Sequence, residues 1–256
     1  MQVNKTPNNY MEDIYKKMSS GKRINSAADD AAGLAILEKL EAQINGLDRG
    51  TQNTQEMGDL LRTAEGGLAS ISDSLQRVRE LSLQAMNGAL GDDDRQKIQY
   101  EIDQQLQHVE KAADSTEYNT MRLLDGSFAD KNTASSPSGK GMQITIENTT
   151  LEGLGLKDYS VLDGKPDLSI IDEALARVDA SRAKIGASQN ALDHTVIANQ
   201  ISHENMVVSA SRIADMDMAK GSMELNQARA KEQYQTFMLK KQMDSQKKTV
   251  QTLMQA

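Results

Sequence analysis

The 256 residues contain three prolines, Pro7, Pro137 and Pro166, and their placement decides most of what the chain can become. A proline inside a helix costs about 3 kcal/mol, so two long proline-free runs flank a short middle that holds two of the three. In the first run Leu37, Leu40, Ile44, Leu47, Thr51, Thr54, Gly58, Leu61, Ala64, Leu68, Ile71, Leu75 and Val78 recur at steps of three and four. That is a heptad seam, weakened around Thr51 to Gly58. The pair Gly66–Gly67 predicts a soft point or kink within it. The helix is expected to end near "NGALGDDD", residues 87–94, with Asp92 to Asp94 opening a second one. That one carries Ile98, Ile102, Leu106, Val109 and Ala113 on one face.

The last run starts near Asp167 or Ser169. Ile171, Leu175, Val178, Ile185, Leu192, Val196, Met206, Ala210 and Ile213 keep the same rhythm, and Arg182, Gln189, Asn199 and His203 interrupt it as register-setting polar residues do. Between the runs, "SFADKNTASSPSGKG" is loop chemistry, whereas "MQITIENT" alternates as a strand should. Two arms of similar length joined by a compact middle predict a mainly α fold. It is a long antiparallel helical coiled-coil rod with one or two small β-hairpins in a β/loop region at about 120–165.

Composition narrows the function. Aromatic residues make up 3% and tryptophan is absent, so the core must be built from Leu, Ile, Val, Met and Ala. A net charge of -8 argues against nucleic acid or an anionic membrane as partner. With no cysteine, disulfides and thiolate metal sites are excluded. "MQVNKTPNNYMEDIYKK" lacks the apolar core of a signal peptide, and no stretch nears the roughly 18 apolar residues of a membrane span. Export without a cleaved signal peptide is the expectation.

Catalytic and cofactor chemistry finds little support. His203–Glu204 opens like a zinc-protease helix motif, but Val207 stands where the second histidine is needed. His108 and His194 sit singly on predicted helices, and Asp92 to Asp94 suit a helix N-terminus without a cation. The glycines of "GKGMQ" and "EGLGLKD" lack the spacing of a phosphate loop. No catalytic, cofactor-binding or metal-binding residue is therefore expected. Half of the methionines lie from Met206 onward, which favours an adaptable interface.

Two places stand out instead. In "SSGKRINSAADDAAG", residues 19–33, a helix over Tyr10 to Met18 reaches a glycine stop at Gly21. Lys22 to Asn25 then form a connector. Ser26 can cap a new helix with Asp29 answering it three residues on and Asp30 favouring the positive end of the dipole. On the long helix, Arg77 and Leu81 share a face four residues apart, and Glu101 lies on the helix that folds back alongside. From the residues alone this is a solvated rim beside the seam.

The stretch at 19–33 resembles one of the most characteristic segments of bacterial flagellin. "LQRVRELSLQAMNG" at 75–88, "IQYEIDQQL" at 98–106, "IDEALARVDASRAKIGASQNALDH" at 171–194 and "SASRIADMDMAKGSMEL" at 209–225 resemble further segments, in family order. The resemblance implies a short flagellin without outer variable domains, a structural subunit that polymerises into the extracellular flagellar filament. It implies that residues 1–30 and 217–256 pair as an inner filament domain and that 31–216 form the rod, with Gly21, Lys22, Arg23, Ile24 and Asn25 as the joint. It assigns Arg77, Leu81 and Glu101 to contacts with neighbouring subunits and to recognition by Toll-like receptor 5. The implied partners are further copies of the chain, an export chaperone at the C-terminal helix, and the flagellar cap and hook–filament junction proteins. The alternative is a minor or non-polymerising flagellin-like secreted protein that acts as a binding partner or receptor ligand.

Overall fold

The computed structural model describes residues 7–163 and 165–254. Residues 1–6, which open the terminal helix expected over 1–30, lie outside the described residues. The fold is mainly α. Helices α1 (Pro7–Ser20), α2 (Ala31–Ala85) and α3 (Asp92–Ser115) precede two small hairpins. These are β1 (Glu117–Tyr118) with β2 (Met121–Arg122), and β3 (Lys131–Ala134) with β4 (Gly141–Ile144). A single turn, α4 (Leu151–Leu154), leads to the long α5 (Leu168–Ala214) and then α6 (Met218–Met254). No described helix is long and apolar enough to cross a membrane.

The chain falls into two compact units. One holds the residues up to Gln43 and those from Glu204 onward, and the other is Ile44–His203. In the first, α1 packs on α6 through Ile14, Leu225 and Ala228, flanked by Met11 and Met18. The Arg229 guanidinium sits 5.7 Å from the Tyr15 ring centre and donates to its hydroxyl at 2.5 Å.

In the second unit the seam read from the sequence is the buried face. Leu61, Ala64, Leu68, Ile71, Leu75 and Val78 share one core with Ile98, Ile102, Leu106, Val109 and Ala113 of α3 and with Ile171, Val178, Ile185 and Leu192 of α5. Cross-links fix the directions. Asp48 meets His203 at 3.2 Å, Glu65 accepts from Gln189 at 3.2 Å and Asp172 accepts from Arg79 at 2.6 Å, so α5 runs antiparallel to α2. Two of the four polar interruptions thus have partners on α2, and a third, Asn199, donates its amide to the Ser135 carbonyl of the link after β3 at 2.8 Å.

The middle differs in detail from its sequence reading. β3 forms inside the stretch expected to be loop, and β4 covers only the beginning of "MQITIENT". The alternation expected of "MQITIENT" is present in β4 and runs on to buried Ile146, whereas β3 has none and is held by tertiary support. The link after β3 lies against α2 where only glycine leaves room, because a Cβ on Gly50 would come within 2.4 Å of the Ser135 oxygen and one on Gly46 within 2.7 Å of Pro137. Asn53 donates to the Ala134 carbonyl at 3.0 Å. The weak stretch of the seam is therefore where the hairpin docks.

The helix runs through Gly66–Gly67 without a break, and the two glycines differ in what surrounds them. A Cβ on Gly67 would meet buried Thr116 at 2.3 Å and Leu124 at 2.9 Å, whereas one on Gly66 meets nothing within 4 Å. Gly66→Ala should stabilise the chain by about 0.5–1 kcal/mol, the usual helical cost of glycine. Gly67→Ala should destabilise it by about 1–2 kcal/mol through overpacking. Urea unfolding of the two single variants checks this, and equal shifts of one sign would show that the close approach at Gly67 carries no weight.

Candidate functional site

The break after α1 is half of a larger construction. α1 ends at Ser20, and Gly21 takes a left-handed backbone with φ of +68°, as the glycine stop predicts. On the far side of the sequence α5 ends at Ala214 and α6 starts at Met218, so a second helix is broken opposite the first. Lys22 and Asp215 pair as an isolated antiparallel bridge. The Arg23 amide donates to the Ala214 carbonyl at 2.6 Å, and the Met216 amide donates to the Gly21 carbonyl at 2.9 Å. The Arg23 side chain adds a bond to the Ile213 carbonyl at 2.7 Å. Ile24 is buried with Leu37 and Ala214. A helix end leaves backbone groups without partners, and here two breaks supply partners to each other.

The resemblance divides the chain between residues 216 and 217, but the residues alone give no reading of a helix break there. The usable signal is Asp217, whose carboxylate accepts from the amides of Ala219 at 2.9 Å and Lys220 at 3.1 Å and so caps α6.

The start of α2 also shifts. The sequence places the cap at Ser26, but the helix begins at Ala31 and Asp30 caps it, accepting from the Gly33 amide at 2.9 Å. Ser26 and Asp29 do answer each other, within a turn that precedes the helix. The Asp29 carboxylate accepts from the Asn25 amide at 3.1 Å and from the Ser26 amide and hydroxyl, both at 3.0 Å. Its other oxygen lies 3.4 Å from the Lys17 ammonium, itself 3.2 Å from Asp13. Asn25 also donates to the Lys22 carbonyl at 3.2 Å. The connector is thereby tied back to α1.

At the rim, Arg77 donates through Nε and Nη2 to one oxygen of Glu101, at 3.0 and 2.5 Å, and through Nη1 to Glu80 at 3.1 Å. Arg77 and Glu101 are thus brought together across α2 and α3, both about half exposed. Leu81 is not part of that surface. It is 2% exposed, because α2 packs here against both α3 and α5 and the buried arc widens to Val78, Leu81, Ser82 and Ala85. Its place is beneath the rim.

Two family models match the chain, the bacterial flagellin N-terminal helical region over residues 1–129 and the bacterial flagellin C-terminal helical region over residues 168–254. The chain belongs to the bacterial flagellin family. It is 38% identical over 225 residues to a flagellin of Halalkalibacterium halodurans, with 83% of each chain covered. It is 37% identical to the flagellar filament 33 kDa core protein of Treponema phagedenis, covering 80% of this chain and 79% of that one. The crystal structure of Bacillus cereus flagellin matches at 30% identity with a TM-score of 0.50, covering 58% of this chain and 88% of that chain. Flagellin is a structural family, so this chain is a filament subunit and not an enzyme.

The paired break has a titratable centre. Partial burial pushes the Asp29 carboxyl up, but the Asn25 amide, the Ser26 hydroxyl and the Lys17 ammonium outweigh it and bring its pKa down to about 2. The carboxyl is lower in the folded chain than the ordinary aspartate value of about 3.9. Its contribution is therefore complete above that value and is lost as pH falls toward about 2. The Asp29 carboxyl resonance should titrate near pH 2, and amide protection at Asn25 and Ser26 should fall over the same window. In Asp29→Asn that protection should be low and flat with pH. A resonance that titrates as an ordinary aspartate would mean that these donors are not in place.

Proposed function

We propose that this flagellin polymerises through α6, with the paired break as the joint between a terminal inner domain (residues 1–30 and 217–256) and a rod (31–216). The observation that carries the reading is the distribution of exposed apolar side chains on α6. Phe237 is 61% exposed and Leu239 60%, and Tyr234, Met238, Met243 and Val250 are exposed as well. At about 100° per residue, Tyr234, Phe237 and Met238 fall on one side of the helix and Leu239, Met243 and Val250 on the opposite side. One neighbour can cover only one side. A helix that is apolar on opposite sides becomes buried only among several neighbours, and copies of one chain supply them by repeating a contact that does not close on itself.

The family supports the rest. Flagellins form the extracellular flagellar filament, and export without a cleaved signal peptide remains part of the reading. An export chaperone would cover the α6 faces before assembly, and cap and hook–filament junction proteins would meet the filament ends. Relatives that include a filament core protein favour this reading over a non-polymerising ligand.

Negative-stain microscopy of concentrated protein, seeded with filament fragments, tests it. Phe237→Ser and Leu239→Ser should each lower filament yield while leaving monomer melting unchanged, because both side chains are already exposed. Persistent monomers of the parent chain under seeding would overturn the polymerising reading. Loss from only one of the two variants would overturn the two-sided one.

The rim is assigned to contacts with neighbouring subunits and with Toll-like receptor 5, carried by Arg77 and Glu101 and supported from below by Leu81. Arginine is favoured at interface hot spots because its planar head makes several directed bonds while its stem packs. Arg77→Ala should weaken subunit association and receptor binding together, each by about tenfold. Thermal melting should hardly move, since exposed ion pairs contribute little to folding. A sharp drop in melting temperature with both contacts intact would make Arg77 a folding element.

A further inference from the structure

We propose that Met216 is an oxidation site whose conversion to the sulfoxide loosens the paired break. Its backbone is part of the joint, the amide donating to the Gly21 carbonyl at 2.9 Å. Its side chain lies over the first turn of α6. A Cβ on Gly221 would come within 2.5 Å of the Met216 methyl, 3.3 Å of its sulfur and 3.4 Å of Met18 Cγ. The thioether thus fills the notch that Gly221 leaves, with Met18 alongside. Met216 is only partly buried, so a small oxidant can reach it. The chain has no cysteine, which leaves thioethers as its only oxidisable sulfur.

The oxidant is a hydroperoxide, hydrogen peroxide in the simplest case. The sulfur lone pair attacks one peroxide oxygen, a sulfur–oxygen bond forms and the oxygen–oxygen bond breaks. The departing hydroxide takes up the remaining proton and leaves as water. Sulfur loses two electrons and the peroxide gains them. The reverse step needs a dithiol reductant, which carries the oxygen away as water and becomes a disulfide.

The new oxygen is a strong acceptor, and the thioether that carries it is seated against the Gly221 backbone and Met18 Cγ. The nearby Gly221 amide is already committed to the Asp217 carbonyl at 2.9 Å. Water is the donor at hand for a partly buried side chain, so the sulfoxide turns out of the notch toward solvent, and leaving pulls on the segment that pairs with Gly21. Met218 and Met223, both exposed, have no comparable seat, and their oxidation should not disturb the pairing.

The full chain treated with hydrogen peroxide tests this, with peptide mass spectrometry following Met216 and with Met223 as the exposed reference. Amide exchange at Met216 and Arg23 in the monomer should rise about tenfold once Met216 is converted, because the apolar seat that holds this segment in the notch is lost. Met216→Leu keeps the shape without the sulfur and should hold both amides steady under peroxide. Met216→Gln should loosen them without peroxide. Equal loosening in Met216→Leu, or unchanged exchange with Met216 fully converted, would overturn the proposal. Seeded growth is the separate arm, which rests on the filament reading. Loosening without loss of growth would support the oxidation site and overturn the part given to the joint in assembly.

Discussion

Close approach of helices carrying small aliphatic side chains is the constraint from which the rest of the second unit follows. With two phenylalanines, six tyrosines and no tryptophan, large rings are scarce, and although Phe128 and Tyr159 do enter this core beyond what the composition predicts, they fill only a small part of it. The helices must come together until Leu, Ile, Val and Ala touch. Along α2 the buried positions are therefore Leu61, Ala64, Leu68, Ile71, Leu75 and Val78, and glycine appears where even a methyl is too much. Gly46 and Gly50 admit the link after β3, and Gly67 admits Thr116 and Leu124. Such a seam alone could slip by a heptad. Asp48–His203, Glu65–Gln189 and Arg79–Asp172 mark one register among the possible ones, and the cost of misplacing them lies mainly in specificity.

The paired break answers a different demand. Interrupting a helix strands backbone donors and acceptors, and water or side chains usually complete them. Here the two interruptions lie opposite each other, so the Arg23 and Met216 amides and the Gly21 and Ala214 carbonyls pair across the gap. The arrangement is short, two main-chain bonds with one arginine side chain and a small apolar cluster beneath. A connection with so few interactions has a low cost of local rearrangement compared with the continuous core of the second unit.

What the sequence made legible was whatever depends on local periodicity or a single backbone angle. The seam residues, the α3 face from Ile98 to Ala113 and the left-handed Gly21 are of this kind. What it hid depends on residues far apart in the chain. Gly67 reads as a flaw until Thr116 is placed against it, and β3 reads as loop until Asn53 and Asn199 are seen on neighbouring carbonyls. Leu81 shares a helix face with Arg77, but spacing could not reveal that α2 meets two partners there and buries a wider arc. Ser26 and Asp30 are both sound caps by chemistry. The choice fell to Asp30 because Asp29 is held among the Asn25 and Ser26 amides and Lys17, which keeps residues 26–30 as a turn.

The distribution of apolar surface separates folding from assembly. In the second unit the large side chains of the core, from Leu61 to Leu192, are buried within one chain, so that unit does not need a neighbour to satisfy its seam. On α6 the side chains of Leu225 and Ala228 are buried, by α1, and Tyr234, Phe237, Met238, Leu239, Met243 and Val250 are exposed. Long isolated helices with few tertiary contacts are marginal in water, so the distal part of α6 gains its main stabilisation from whatever packs on it. A subunit built this way completes the core of its second unit within one chain, with no help from a neighbour. Under the proposed assembly through α6, the contact energy of the polymer falls on a segment whose own fold contributes little.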